Sequence, residues 1–133
     1  MGEINTNKKL AVIGSRGFDD YPTLVKWLDI HKPSMIVSGG AIGADSLANK
    51  YAQEKGLPIL IFYPDWNGLG KRAGFARNAK IIETAEEVVA FWDLKSAGTK
   101  NSIDIAKRLG KPVYIYGFGE PAIKENNDDP FAL

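Results

Sequence analysis

The stretch Ser38-Gly39-Gly40-Ala41-Ile42-Gly43-Ala44-Asp45 spends almost no side chain before it places a carboxylate. Glycines lack Cβ atoms, so backbone N–H groups there can approach a ligand closely. A helix-like pattern begins near Ala44, and a helix start adds its dipole and unpaired donors. Together these features suit an anion, most simply a phosphate, held by Ser38, Gly39, Gly40 and Gly43. Asp45 reads two ways: it compensates the helix dipole, or it accepts a hydrogen bond from a ribose hydroxyl. The glycines also read two ways, because a tight strand-to-helix turn uses glycine with no ligand at all.

Three further loops carry chemistry. Gly14-Ser15-Arg16 offers a turn, a hydroxyl and a fixed positive charge right after an apolar run. An arginine there is costly unless paired, and a phosphate or Asp45 would pair it. Ser96-Ala97-Gly98-Thr99 is a second glycine-hydroxyl turn opening a helix. The segment Pro64 to Gly74 holds Asp65, Trp66, Lys71 and Arg72, with Arg77 and Asn78 just beyond. Aromatics near basic residues can stack on a base while the charges meet phosphate. Trp66 and Trp92 are the stacking candidates, although each also fits a packed core. The pattern is neither G-x-G-x-x-G nor a P-loop, since Gly70-Lys71-Arg72 lacks the upstream glycine and the Ser/Thr. A dinucleotide or triphosphate site of the usual kind is disfavoured.

Five apolar runs must position these loops: Leu10–Ile13, Met35–Val37, Ile59–Tyr63, Val88–Trp92 and Val113–Tyr116. A helical pattern separates each from the next. Asp19, Asp20 and Pro22 signal the start of the first helix, and Gly56 with Pro58 and Gly110 with Pro112 stop later ones. The spacing predicts one helix from about Phe75 to Thr84. Runs without polar alternation are expected to be buried on both faces, as in a parallel sheet between helices. The order β-α-β-α-β-α-β-α-β with right-handed crossovers predicts an α/β, three-layer Rossmann-like domain with a five-stranded parallel sheet. In such a sheet the loops after the strands share one edge, where ligands bind. All four unusual loops converge on that edge.

The chain has 133 residues, enough for one domain with its own core. Lys plus Arg is 17 and Asp plus Glu is 16, giving a net charge of +1. That balance makes a nucleic-acid partner unexpected and does not favour a membrane surface. With no cysteine and one histidine, His31, the reading assigns no metal site, no cofactor and no thiol nucleophile. No leader or membrane span is expected, and a cytoplasmic location is. Residues 1–8 read as a polar arm and residues 9–116 as the domain. From Gly117, "GFGEPAIKENNDDPFAL" has four acids against Lys124 and reads as a flexible tail. Its Pro130-Phe131 ending resembles the partner-binding tips of single-stranded-DNA-binding proteins, so a protein partner for the tail is the lesser reading.

The segments "AVIGSRGFDDY", "IVSGGAIGADSLANKYA", "DWNGLGKRAGFARNAKI" and "VVAFWDLKSAGTKNSIDIAKRLGKPV" resemble the YspA/YpsA-related branch of the SLOG superfamily over about residues 9–116. The resemblance implies a Rossmann-like domain that binds nucleotides or nucleotide-derived signals, as sensor or carrier. It also implies distant kinship with the DNA-uptake protein DprA and with phosphoribohydrolases that release a base from a nucleoside 5′-monophosphate. A homo-oligomer is expected by analogy with relatives alone. Arg77 resembles the helix arginine of those hydrolases, and Gly98-Thr99 resembles their glycine turn. Ser102 stands where they carry a glutamate. Cleaving an N-glycosidic bond builds oxocarbenium character that a carboxylate stabilises. Asp45, Asp65 or Asp93 would have to supply it, so the catalytic candidates are Arg77, Asp45 and Asp93. Nucleotide binding is the first expectation and N-glycosidase activity the alternative.

Overall fold

The computed structural model describes residues 8–119. The elements run β1 (Lys9–Gly14), α1 (Tyr21–His31), β2 (Met35–Gly39), α2 (Ala44–Lys55), β3 (Ile59–Phe62), α3 (Trp66–Leu69), a 3-10 turn (Gly70–Arg72), α4 (Ala73–Thr84), β4 (Glu87–Trp92), α5 (Ala97–Arg108) and β5 (Val113–Gly117). The strands form one sheet in the order β3-β2-β1-β4-β5, and every neighbouring pair is parallel. The α/β Rossmann-like arrangement is the one the strand and helix pattern predicts.

Strand side chains alternate between faces and so sort the helices into two layers. Leu10, Val12, Ile36, Val89 and Phe91 pack with Leu24 and Leu28 of α1 and with Ala48, Tyr51 and Ala52 of α2. Ala11, Ile13, Val37, Val88, Ala90 and Trp92 pack with Ile81 and Ile82 of α4 and with Ile103, Ile105 and Ala106 of α5. The chain winds outward from β1 through β2 to β3, then returns to place β4 on the other side of β1. The loops after β1 and β4 therefore leave in opposite directions, which opens a crevice between them.

Local signals set the ends. The Asp20 carboxylate accepts from Thr23 N at 3.2 Å and starts α1. Gly56, in the left-handed region at φ +69°, ends α2. Lys111 Nζ donates to the carbonyls of Ile82, Glu83 and Ala85, satisfying the end of α4.

Three details differ from expectation. The segment 64–74, expected as a loop, winds into α3 and a 3-10 turn, because Asp65 accepts from Gly68 N at 2.9 Å and nucleates a turn. The edge strands are not buried on both faces: Leu60 of β3 and Tyr114 and Ile115 of β5 are exposed, since an edge strand has a neighbour on one side only. The packed chain also runs past residue 116. Phe118 N donates to Trp92 O at 2.9 Å, and its ring tilts against Phe18 at 5.1 Å. The expected arm up to residue 7 and the acidic tail from residue 120 lie outside the described residues. No helix among the described residues is long and apolar enough to cross a membrane.

Gly43 is held at φ +81°, and a Cβ there would sit 2.5 Å from the carbonyl oxygens of Ser15 and Arg16. Gly43→Ala should cost at least about 2 kcal/mol, from backbone strain plus overpacking. Gly17 has nothing within 4 Å of the same position. Gly17→Ala should stay within about 0.5 kcal/mol of wild type. Urea unfolding of both variants measures the contrast, and equal losses would contradict this account of the loop.

Candidate functional site

A cavity of about 230 Å³ opens at the crevice between β1 and β4. Its lining combines Ser15 and Arg16 after β1, Ala41 and Asp45 after β2, Phe75, Arg77 and Asn78 of α4, and Ser96, Gly98, Thr99 and Ser102 at α5. Residues from four separate loops and helix starts thus meet, as the topology requires.

Ser15 ties the crevice together. It is 2% exposed. Its N–H donates to Phe91 O at 2.9 Å, and its carbonyl accepts from Phe18 N at 3.2 Å and Ala44 N at 3.4 Å. Its Oγ accepts from Asp93 N at 2.9 Å and lies 3.2 Å from Ser96 Oγ. The first amide of α2 is therefore occupied by protein. Gly14 serves packing: a Cβ there would stand 2.5 Å from Phe91 O and 2.6 Å from Ala44 Cβ.

The start of α5, like that of α2, has no side-chain cap. Ser96 makes no side-chain cap, because its hydroxyl reaches Asp93 Oδ2 at 2.9 Å instead. Gly98 and Thr99 in the first turn line the cavity. A Cβ on Gly98 would meet nothing within 4 Å. Uncapped helix amides facing an open space form an anion-binding geometry.

Arg77 and Asp45 meet over Gly39. A Cβ at Gly39 would collide with Arg77 Nη1 and lie 2.9 Å from Asp45 Oδ2. Glycine is needed there to seat both side chains. Arg77 Nε donates to Asn78 Oδ1 at 3.1 Å, and Asn78 Nδ2 donates to Asn101 Oδ1 at 3.3 Å, which ties α4 to α5. Arg16 is exposed, so the burial cost foreseen for it does not arise.

Several expected ligand contacts take other places. Trp92 is 8% exposed, packs in the core on the α4/α5 side and donates from Nε1 to Ser96 O at 3.1 Å. Its ring is closed to a base because β4 points it inward. Ser38 is fully buried beneath Asp45 and supports that carboxyl. Asp93 closes its own turn, accepting from Lys95 N at 2.9 Å and Ser96 N at 2.7 Å. Partial burial pushes its carboxyl up, but hydrogen bonds from Lys95, Ser96 and Ser15 outweigh it and hold the group below its ordinary value. Of Asp45, Asp65 and Asp93, only Asp45 lines the cavity. Trp66 is 60% exposed on α3 and lies near Gly74, within reach of the rim. The side chain of Lys71 is outside the described set. Tyr63 and Phe75, 69% and 54% exposed, are aromatic groups that the sequence reading passed over. Their only signal was an apolar residue placed where its strand or helix meets a loop.

Residues 8–68 match the YspA, cpYpsA-related SLOG family. That span covers β1 through most of α3, with the two glycine loops after β1 and β2. The solved structure of DNA processing protein A from Helicobacter pylori, described for its single-stranded DNA binding mode, superposes with a TM-score of 0.58 at 28% identity. The first half of the chain is thus similar to the SLOG family. The chain is covered over 83% of its length by the Helicobacter match and spans 65% of that chain. It is also 29% identical over 121 residues to the gene 61 protein of Mycobacterium phage D29, covering 97% of that protein. Arg77 and the start of α5 lie beyond the family match, so that half of the crevice stands on its own geometry.

The chemistry of this site turns on Asp45. Burial pushes its carboxyl above the ordinary range, and the amide of Ala41, the hydroxyl of Ser38 and the Arg77 charge pull it only partly back. Ser38 Oγ lies 2.7 Å from Val12 O and 3.1 Å from Asp45 Oδ1. A hydroxyl carries one hydrogen, and a carbonyl can only accept. Ser38 divides its one hydrogen between Val12 O and the Asp45 carboxyl, whose Oδ2 accepts from Ala41 N at 3.1 Å. Burial, the largest influence, favours the protonated form.

A carboxyl raised on folding contributes stability in full below its unfolded value, near pH 4, and loses it as pH rises through the folded value. Asparagine can replace both contacts without titrating. Wild type should therefore lose stability relative to Asp45→Asn as pH rises from about 4 toward 8. Paired urea melts across that range measure this, and a constant gap would contradict the protonated reading.

Proposed function

We propose that this domain binds a nucleotide or nucleotide-derived phosphorylated ligand at the carboxyl edge of its sheet, as a sensor or carrier. The observation that carries the reading is the meeting of Arg16, Arg77 and the uncapped first turn of α5 around one cavity. Charge-assisted bonds from guanidinium groups and helix amides favour phosphate over neutral ligands. A cavity of about 230 Å³ is smaller than most ligand sites, so it suits the phosphorylated end of a nucleotide, with the rest at the open rim. Asp45, beside Arg77, is set to meet a ribose hydroxyl. An N-glycosidase reading would rest on Asp45 with Arg77, since Ser102 supplies no carboxylate.

A second reading is a single-stranded nucleic acid. The Helicobacter relative is described as binding single-stranded DNA. The exposed rings of Tyr63, Trp66 and Phe75 suit unpaired bases, and Arg16, Arg72, Lys95 and Lys100 are exposed cations in the segments around the crevice. The net charge of +1 argues against nucleic acid, but a net charge says nothing of how the cations are distributed. A single nucleotide unit is common to both readings. Steep salt dependence of oligonucleotide binding marks the second.

Thermal melts against nucleoside mono-, di- and cyclic phosphates test the first reading. A ligand at a hundredfold excess over its Kd should add about 2.7 kcal/mol. Arg16→Ala should keep the ligand-free melting temperature, since the side chain is exposed, and should weaken binding at least about tenfold, as expected when a charged hydrogen bond is lost. Unchanged binding by Arg16→Ala would refute the phosphate assignment. The same samples, checked for freed base, test the hydrolase alternative.

A further inference from the structure

Beside the first cavity lies a second of about 190 Å³, and the two share Ala41 and Asp45. Its other lining residues are Gly39, Gly40, Ser46, Asn49, Ile61 and Tyr63. None of them is a cation. The chemistry is a hydroxyl, a carboxamide, an aliphatic side chain and an aromatic ring, which suits a base and sugar rather than a phosphate. The Asn49 carboxamide takes one long hydrogen bond, from Gln53 Nε2 at 3.4 Å, and is half-buried at the cavity.

Two consecutive glycines organise the boundary. Over Gly39 sit Arg77 and Asp45. Against Gly40 lies the Tyr63 ring, with Cδ1 at 2.5 Å from where a Cβ would stand. A side chain at Gly40 would push that ring away. Tyr63 thus lies against the backbone on one side while the residue stays 69% exposed. An open ring beside a cavity is a stacking platform for a base. From one glycine to the next, the groove passes from a cation to a ring.

We propose that the two cavities are one groove with two subsites, and that its ligand is a pair of nucleosides joined through phosphate. The phosphorylated unit occupies the Arg16/Arg77 side, and the second nucleoside stacks on Tyr63 with its edge toward Asn49 and Ser46. The inference rests on the nucleotide reading above and deepens it. The bridge is either a 3′–5′ phosphodiester, as in a strand end, or a pyrophosphate.

Calorimetric titrations with three probes, prepared for each base, decide it: the nucleoside 5′-monophosphate, its 5′-phosphorylated 3′–5′ dinucleotide and the pyrophosphate-linked dinucleoside. One of the two-nucleoside probes should bind about tenfold or more tighter than its monophosphate, and its linkage identifies the source. Tyr63→Ala should erase most of that gain and leave monophosphate affinity within about twofold, while Tyr63→Phe should keep the gain. Monophosphate binding with no gain for either longer probe, or an equal loss on all probes in Tyr63→Ala, would overturn the second subsite alone. No binding by any probe would overturn the nucleotide reading with it.

Discussion

Five bonds at Ser15 hold the crevice together, and its other features depend on them. The residue sits at the carboxyl end of β1, joined through its amide to β4, through its carbonyl to the start of α2 and through its hydroxyl to the turn after β4. A parallel sheet leaves its loops free to diverge at the switch point. Here one buried serine limits that divergence. Gly14 and Gly43 are small because the strands and loops that Ser15 joins leave no room for a Cβ. The consequence is chemical. Ser15 takes the first amide of α2, while Gly98 and Thr99 in the first turn of α5 line the cavity.

A division of labour follows between the two glycine loops. The loop after β2 carries little evidence of a phosphate cradle. Its glycines seat Arg77, Asp45 and Tyr63, and its helix brings a buried carboxyl that Ser38 contacts at 3.1 Å. The loop after β4 holds the uncapped amides. A carboxyl raised by burial beside a guanidinium gives up its proton less readily than an exposed one, so it offsets the Arg77 charge less as pH falls.

Much of this was legible in the sequence. Five apolar runs separated by helical patterns gave the sheet, its layers and its functional edge, because strand period and helix stops are local properties. The convergence of four loops followed from topology. Partners distant in the chain were not legible. Asp45 and Asp93 are the same residue type, each in a loop after a strand, yet one is buried and raised and the other closes a turn and is lowered. Ser15 and Ser38 looked like ligand hydroxyls and are structural ones. Trp92 and Trp66 differ only in whether the backbone turns the ring inward. The family match adds a frame for the first half of the chain, but Arg77 and α5 must be read from their own contacts.

The central claim is that the crevice between β1 and β4 holds a phosphate against α5. A crystal structure of the protein soaked with the nucleoside monophosphate that most raises its melting temperature tests this directly. The account predicts phosphate oxygens within hydrogen-bonding distance of the Gly98 and Thr99 amides and of the Arg16 guanidinium, with the ribose toward Asp45. A nucleotide seated elsewhere on the surface, or with its phosphate away from α5, would contradict it.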